Sequence, residues 1–197
     1  MAQRQIAGLT GLYCAGKNYV ASLLEKRGVP VLDVDKLGHE ALRAERESIA
    51  RRFGADLLNG AGEIDRRALG ERVFGKPGEL AALEALVHPA ANALTEAWLD
   101  TQEGLCVINA ALLHRSTVFP RLKAVILVRA PFPVRFFRAL RRDKIPPPSL
   151  LKRFLSQRSF GPQYFSGKTD IYTVCNSGLP LSGRALESRL DLILKGL

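Results

Sequence analysis

The chain has 197 residues, 47% of them hydrophobic and 24% charged, a globular composition that excludes intrinsic disorder and suits one core with an inserted sub-domain. Its apolar runs fall far short of a bilayer span, and Cys14, Cys106 and Cys175 form no Cys-x-x-Cys pair, which excludes a zinc knuckle and a disulfide framework. The net charge of +10 is concentrated, because residues 115–168 hold thirteen Lys/Arg against Asp143 alone, +12 there and −2 elsewhere, and this asymmetry predicts an anionic partner.

In chain order, residues 1–5 carry no charged-then-apolar leader, so a cytoplasmic location is expected. Gln5-Ile6-Ala7-Gly8-Leu9-Thr10 predicts a first strand. A glycine-bearing loop leads into a helix over about residues 17–27, with Val20, Leu23 and Leu24 on one face and Gly28 ending it. Residues 29–35 predict a second strand. Strand, helix and strand in this order make a βαβ unit and imply a parallel sheet.

From residue 36 to 102 the texture is Ala/Leu/Glu/Arg-rich and helical, with helices expected near 36–53, 66–74 and 78–102. Breaks fall at Gly54, at Asn59-Gly60-Ala61-Gly62 and at Gly75-Lys76-Pro77-Gly78, and the Asn-Gly pair is alternatively a hairpin turn. Strands resume at 105–109 and 124–128. A basic helix is expected over 131–143, with Phe132, Phe136 and Phe137 as core positions between its arginines. Pro146-Pro147-Pro148 ends that helix and stiffens the next turn. A second basic helix over 149–157, a Gly/Pro/aromatic loop over 160–168, a strand over 171–175 and an amphipathic helix over 182–195 complete the chain. The five strands predict an α/β fold: three αβα layers on a five-stranded parallel sheet, with a helical insertion.

Gly11-Leu12-Tyr13-Cys14-Ala15-Gly16-Lys17-Asn18 stands between the first strand and the first helix. The pattern G-x-x-x-x-G-K-[S/T] requires that context. Loop amides and the unpaired amides of a helix start converge on an anion there, the glycines allow the close turn, and the lysine reaches outer phosphates. Asn18 departs from the hydroxyl residue that usually meets magnesium, although an amide oxygen also ligates Mg²⁺. Cys14 is expected to fill space. An arginine-rich basic segment suits phosphate, because the guanidinium offers forked donors.

Asp33 and Asp35 close the second predicted strand. Strand alternation would point both to one face, at the ligand edge of an open α/β sheet. One carboxylate could take a proton from a hydroxyl while the other holds a metal-bound water. Alternatively, one of them caps the next helix.

With these residues the chain resembles the dephospho-coenzyme A kinases. The resemblance rests on the phosphate loop and on Val31-Leu32-Asp33-Val34-Asp35 at the family's spacing from Lys17. It continues through Asp65-Arg66-Arg67-Ala68-Leu69, Val73-Phe74 and Leu83-Glu84-Ala85-Leu86-Val87-His88-Pro89. It ends with Arg138, Arg142-Asp143, Gln157 and Asn176-Ser177-Gly178. The family resemblance implies a P-loop core over 1–35, 105–135 and 168–197, a helical substrate domain over 36–104 and a basic lid over 136–167. It implies ATP and Mg²⁺ as cofactors, with Gly11, Leu12, Tyr13, Cys14, Ala15, Gly16, Lys17, Asn18, Arg138 and Asn176 on the nucleotide side and Asn18 toward the metal. Asp33, Arg66 and His88 would meet the coenzyme substrate. Asp35 would be the base on the ribose 3′-hydroxyl, with Lys17 and Arg142 completing the catalytic set. Dephospho-coenzyme A is the implied partner, with no nucleic acid and no membrane, in a monomer or weak homo-oligomer. Besides Asn18, departures from the family pattern are Ala111-Leu112-Leu113-His114-Arg115, where the last position is usually Glu, and Arg129. The other readings are a different small-metabolite or nucleoside kinase, a catalytically weakened nucleotide-binding protein, and nucleic-acid binding by the basic segment.

Overall fold

A computed structural model describes residues 4–143, 145–156, 169–178 and 180–197. Five strands, β1 (Gln5–Gly11), β2 (Val31–Asp33), β3 (Leu105–Asn109), β4 (Ala124–Arg129) and β5 (Asp170–Cys175), form one sheet in the order β2-β3-β1-β4-β5. β1 lies between β3 and β4, parallel to both, with Leu9 opposite Asn109 and Gly11 opposite Val128. β4 pairs in parallel with β5. Strands buried on both faces read as unbroken apolar runs, and β4 has this pattern: Ala124 to Val128 are all buried.

The helices are α1 (Lys17–Glu25), α2 (Val34–Ala44), α3 (Arg46–Phe53), α4 (Arg66–Val73), α5 (Pro77–Asp100), α6 (Phe132–Asp143), α7 (Pro147–Ser156) and α8 (Pro180–Gly196). None of the described helices is long and apolar enough to cross a membrane. The chain divides into two compact units, Met1–Leu32 with Gln102–Leu197, and Asp33–Thr101.

In the first unit, Val20, Leu23 and Leu24 of α1 and Leu186, Leu190 and Ile193 of α8 share one core with Ala7, Leu9, Val107 and Ile126 of the sheet. Arg27 ties these two helices at the surface, donating to Asp191 at 2.7 Å and to Glu187 at 3.3 Å. A smaller cluster joins Ala139 of α6 to Leu150 and Phe154 of α7. The second unit is helical. Ile49, Phe53, Leu57, Leu69 and Val73 form its core, against Leu83, Leu86 and Val87 of α5.

Several local expectations are corrected. The second strand is only three residues long, because Asp33 leaves it as the N-cap of α2 and accepts a hydrogen bond from the Asp35 amide at 3.2 Å. The shared strand face expected for Asp33 and Asp35 is therefore replaced by a helix cap followed by the first helical turn. The helix expected over 36–53 is two helices that meet at Glu45. Asn59 makes the hairpin alternative: its backbone amide donates to the Glu63 carbonyl, its side-chain oxygen accepts from the amides of Ala61 and Glu63, and Leu58 bridges Ile64. Pro147 opens α7 rather than stiffening a turn before it, as proline tolerates a helix's first position where no amide is needed. Phe132 and Phe136 pack near Phe154, with ring centroids 5.2 and 6.0 Å away, but of the three expected core positions Phe132 and Phe137 are both exposed. Gln157 and the loop expected over 160–168 lie outside the described residues.

Candidate active site

The turn at the end of β1 is built by two backbone inversions. Cys14 has φ 58° and Gly16 φ 91°. The Ala15 amide closes the turn on the Leu12 carbonyl at 2.9 Å. Gly16 cannot carry a side chain, since a Cβ there would lie 2.2 Å from Asn176 Nδ2 and its φ disfavours any L residue. Gly11 lets β1 run against β4, where a Cβ would stand 2.7 Å from the Val128 carbonyl oxygen.

The loop's side chains are held from behind. Tyr13 and Cys14 pack on the cluster of Ala139, Leu150 and Phe154. The Tyr13 and Phe154 rings meet edge to face at 5.2 Å. Tyr13 donates its hydroxyl to Asp143, and the guanidinium groups of Arg142 and Arg153 lie 5.2 and 5.9 Å from its ring centre. Bulk at these positions is thus absorbed by α6 and α7. Ala15 is wholly buried.

The loop carbonyls are fixed by cations and amides. Arg138 Nη1 donates to the carbonyls of Ala15 at 3.1 Å and Cys14 at 3.4 Å, and its Nη2 donates to Asn176 Oδ1 at 3.2 Å. Asn176 Nδ2 donates to the Ala15 carbonyl at 3.1 Å, and the Asn176 amide donates to the Arg129 carbonyl at 2.7 Å. Arg135 Nη1 reaches the Tyr13 carbonyl at 3.5 Å. Three carbonyls of the turn, those of Tyr13, Cys14 and Ala15, are thus held from the α6 side. α1 then begins without a side-chain cap or an acidic residue in its first turn, so its own first turn supplies no anion to the positive end of its dipole. Lys17 and Asn18 are its first two residues. The arrangement is an anion cradle.

Burial pushes the Cys14 thiol pKa up, and the positive fields of Arg142, Arg138 and Arg135 only partly offset this. Burial likewise lowers the Arg135 pKa, but a guanidinium stays protonated in proteins.

Of the nucleotide-side residues expected from sequence, the structure gathers residues 11–18, Arg138 and Asn176. Arg142 stands apart from the loop carbonyls and pairs with Asp143, Nε to Oδ1 at 2.5 Å and Nη2 to Oδ2 at 3.1 Å. In the helical unit, Asp35 is exposed in the first turn of α2 behind the Asp33 cap. Arg66 opens α4 after its own cap, Asp65, and is exposed, as is His88 within α5. Sequence reasoning missed Arg135, Arg153, Asp143 as partner of Tyr13, and Asn109, whose Nδ2 donates to Asn18 Oδ1 at 3.4 Å. The spacing of Arg135 and Arg138, three apart on one predicted helix, was the available signal for one of them.

A glycine-hinged anion cradle at the carboxyl end of a central parallel strand, leading straight into a helix, defines a P-loop kinase fold. The family model described as CoaE, dephospho-CoA kinase, matches residues 5–163. A dephospho-CoA kinase of Anaeromyxobacter dehalogenans is 36% identical over 98% of this chain and 92% of its own length. A crystal structure from Thermus thermophilus superposes with a TM-score of 0.82 at 33% identity, covering 99% of this chain and 98% of that one. A shikimate kinase of Bacteroides thetaiotaomicron shares the fold alone, with a TM-score of 0.55 at 15% identity over 97% and 98% of the two chains. The chain belongs to the dephospho-CoA kinase family.

Proposed function

We propose that the cradle at residues 11–17 holds the triphosphate of ATP and that the chain transfers its γ-phosphoryl group to the ribose 3′-hydroxyl of dephospho-coenzyme A. The observation that carries the cradle is the fixed, uncapped turn before α1, with its carbonyls tied back by Arg138 and Asn176. Lys17 meets the outer phosphates. Arg138 and Asn176 keep the loop in its binding shape, with Asn176 toward the adenine side.

In the transfer, the ribose 3′-oxygen bonds to the γ-phosphorus, the bond from that phosphorus to the bridging oxygen breaks, and ADP leaves. Asp35 accepts the hydroxyl proton, and its exposed place in the first turn of α2 suits that task. Asp33 positions it by capping the same helix. Arg66 and His88, both exposed on the helical unit, bind the coenzyme side. Arg142 exchanges its Asp143 partner for the moving phosphoryl group, as α6 and α7 act as a lid. A contribution of this kind is worth on the order of a thousand-fold in related phosphoryl transfers.

Asn18, the residue after Lys17, carries a neutral amide oxygen that accepts from Asn109 Nδ2 at 3.4 Å, and no group of three His, Cys, Asp or Glu among the described residues could hold a metal ion. This set fits a Mg²⁺ that arrives on the nucleotide, with Asn18 on its protein side. When bound, the ion neutralises charge on the outer phosphates. The site belongs to a cytoplasmic enzyme.

The test is incubation with ATP and a panel of dephospho-coenzyme A, nucleosides and small sugar acceptors, with products read by mass spectrometry. Dephospho-coenzyme A should gain one phosphate and the others none. The Asp35→Asn variant should lose at least about a hundred-fold in kcat, the scale of general-base contributions. Undiminished turnover in that variant would remove Asp35 as base.

A further inference from the structure

Asp143 is the single acid among residues 115–168, and three donors among the described residues share its carboxylate. Arg142 holds it through two nitrogens, Nε to Oδ1 at 2.5 Å and Nη2 to Oδ2 at 3.1 Å. Arg153 Nη1 stands 3.9 Å from Oδ2. The third donor comes from the phosphate loop: the Tyr13 hydroxyl donates to Oδ2 and itself accepts from Arg153 Nη1 at 3.5 Å. A guanidinium, a phenol and a carboxylate thus stand in series, and hydrogen bonds in such a chain strengthen one another.

The three donors differ in how firmly they are held. The Arg142 and Arg153 side chains are 60% and 58% exposed, whereas that of Asp143 is only 14% exposed. Tyr13 is fixed by packing. Its ring meets that of Phe154 edge to face at 5.2 Å and rests on the cluster of Ala139, Leu150 and Phe154. The Arg142 guanidinium lies 5.2 Å from the centre of the same ring. A largely buried carboxylate that loses its cation is costly to leave unpaired. The exit of Arg142 from Asp143 therefore depends on what stays behind, and what stays is the tyrosine hydroxyl, with Arg153 on its far side.

We propose that Tyr13 is a positioning residue for Arg142: its hydroxyl keeps the Asp143 carboxylate hydrogen-bonded and in place when the Arg142 guanidinium leaves it, and so makes that arginine available to the phosphoryl group. The inference rests on the reading that residues 11–17 hold ATP and that Arg142 serves the transfer. Through Tyr13, the phosphate loop itself sets how readily the arginine near the end of α6 is released.

The experiment is steady-state kinetics of the full chain with ATP and dephospho-coenzyme A, for the wild type, Tyr13→Phe, Arg142→Ala and the double variant, each with a melting curve. Tyr13→Phe keeps the ring and removes only the hydroxyl. It should lower kcat by at least about fivefold, as loss of a hydrogen bond to a charged group does, while the KM for ATP stays within about twofold. In the Arg142→Ala background the same change should alter kcat by less than about twofold, because the group that Tyr13 serves is gone. Arg153→Gln alters an exposed side chain and should lower kcat in the same direction, again only when Arg142 is present, which supplies the test should Tyr13→Phe melt without cooperativity. Undiminished kcat in Tyr13→Phe overturns the proposal, and so does a loss that persists at full size without Arg142. A raised KM for ATP as the sole change, the mark of a merely structural part in the loop, overturns it too. An Arg142→Ala enzyme as fast as the wild type, or a wild type that transfers nothing, would instead overturn the reading of the site on which the proposal rests.

Discussion

Gly16 is the residue on which the cradle turns. Its φ of 91° and the 2.2 Å that would separate a Cβ from Asn176 Nδ2 leave no room for even a methyl group. Gly16→Ala should therefore push Asn176 off the Ala15 carbonyl and abolish measurable ATP binding by calorimetry, while the cooperative melt is kept. Retained affinity would show that the turn's shape is dispensable. Cys14 makes the opposite case, a residue in the loop whose chemistry is suppressed. Its thiol is half-buried against the α6–α7 cluster, and burial holds its pKa above the ordinary thiol value. The sign is clear: a raised thiol pKa means less thiolate at neutral pH, and thiolate is the nucleophile. Iodoacetamide at pH 7.5 should label exposed Cys175 before Cys14, and peptide mapping of a time course checks the order. At this scale the sequence was informative where chemistry is local. The glycines, Lys17 and the odd Asn18 could be read from the motif alone. Asn109 and Arg135 could not, because they reach the loop from 91 and 122 positions away in the chain and only packing brings them there.

Among the elements, β1 and α1 were legible because an apolar run and a helical stripe adjoin without competition. β2 was not. Val31-Leu32-Asp33-Val34-Asp35 alternates like a strand, yet Asp33 offers its carboxylate to an amide two residues on, and such local hydrogen bonds compete with sheet extension. The helix cap wins after three strand residues. The same event places Asp35 in a helical turn, where the backbone is more constrained than at a strand end, which suits a fixed proton acceptor. Elsewhere the elements are fastened at the surface. Arg27, in the turn after α1, holds Asp191 of α8, and this hydrogen bond keeps the Asp191 carboxyl below its usual pKa. A depressed carboxylate pKa adds stability that is present above the unfolded value, about 3.9, and is lost as pH falls through the folded one. Asp191→Asn should thus lower Tm slightly at pH 7, with the gap to wild type closing below about pH 4. Melting curves across pH 3 to 8 read this directly, and a gap that persists at low pH would mean that packing rather than charge is lost.

At the level of the whole molecule, the αβα layering and the helical insertion follow from the change in texture near residues 36 and 102, while the chain parts into two units after Leu32 and after Thr101. The basic excess over 115–168 also acquires a local meaning. Arg135 and Arg138 are spent on loop carbonyls, while Arg142 and Arg153 gather around Tyr13 and Asp143. Much of the described positive charge in α6 and α7 is thereby committed to the turn and to Asp143. Everything proposed for ATP depends on that turn facing a triphosphate. The most direct measurement is a crystal structure of the chain soaked with ATP and Mg²⁺. The account predicts the triphosphate against the backbone amides of residues 12–17, with Lys17 on its outer phosphates and Arg138 still bound to the Ala15 carbonyl. A triphosphate bound elsewhere, or a turn that keeps its amides turned away from it, would contradict the account.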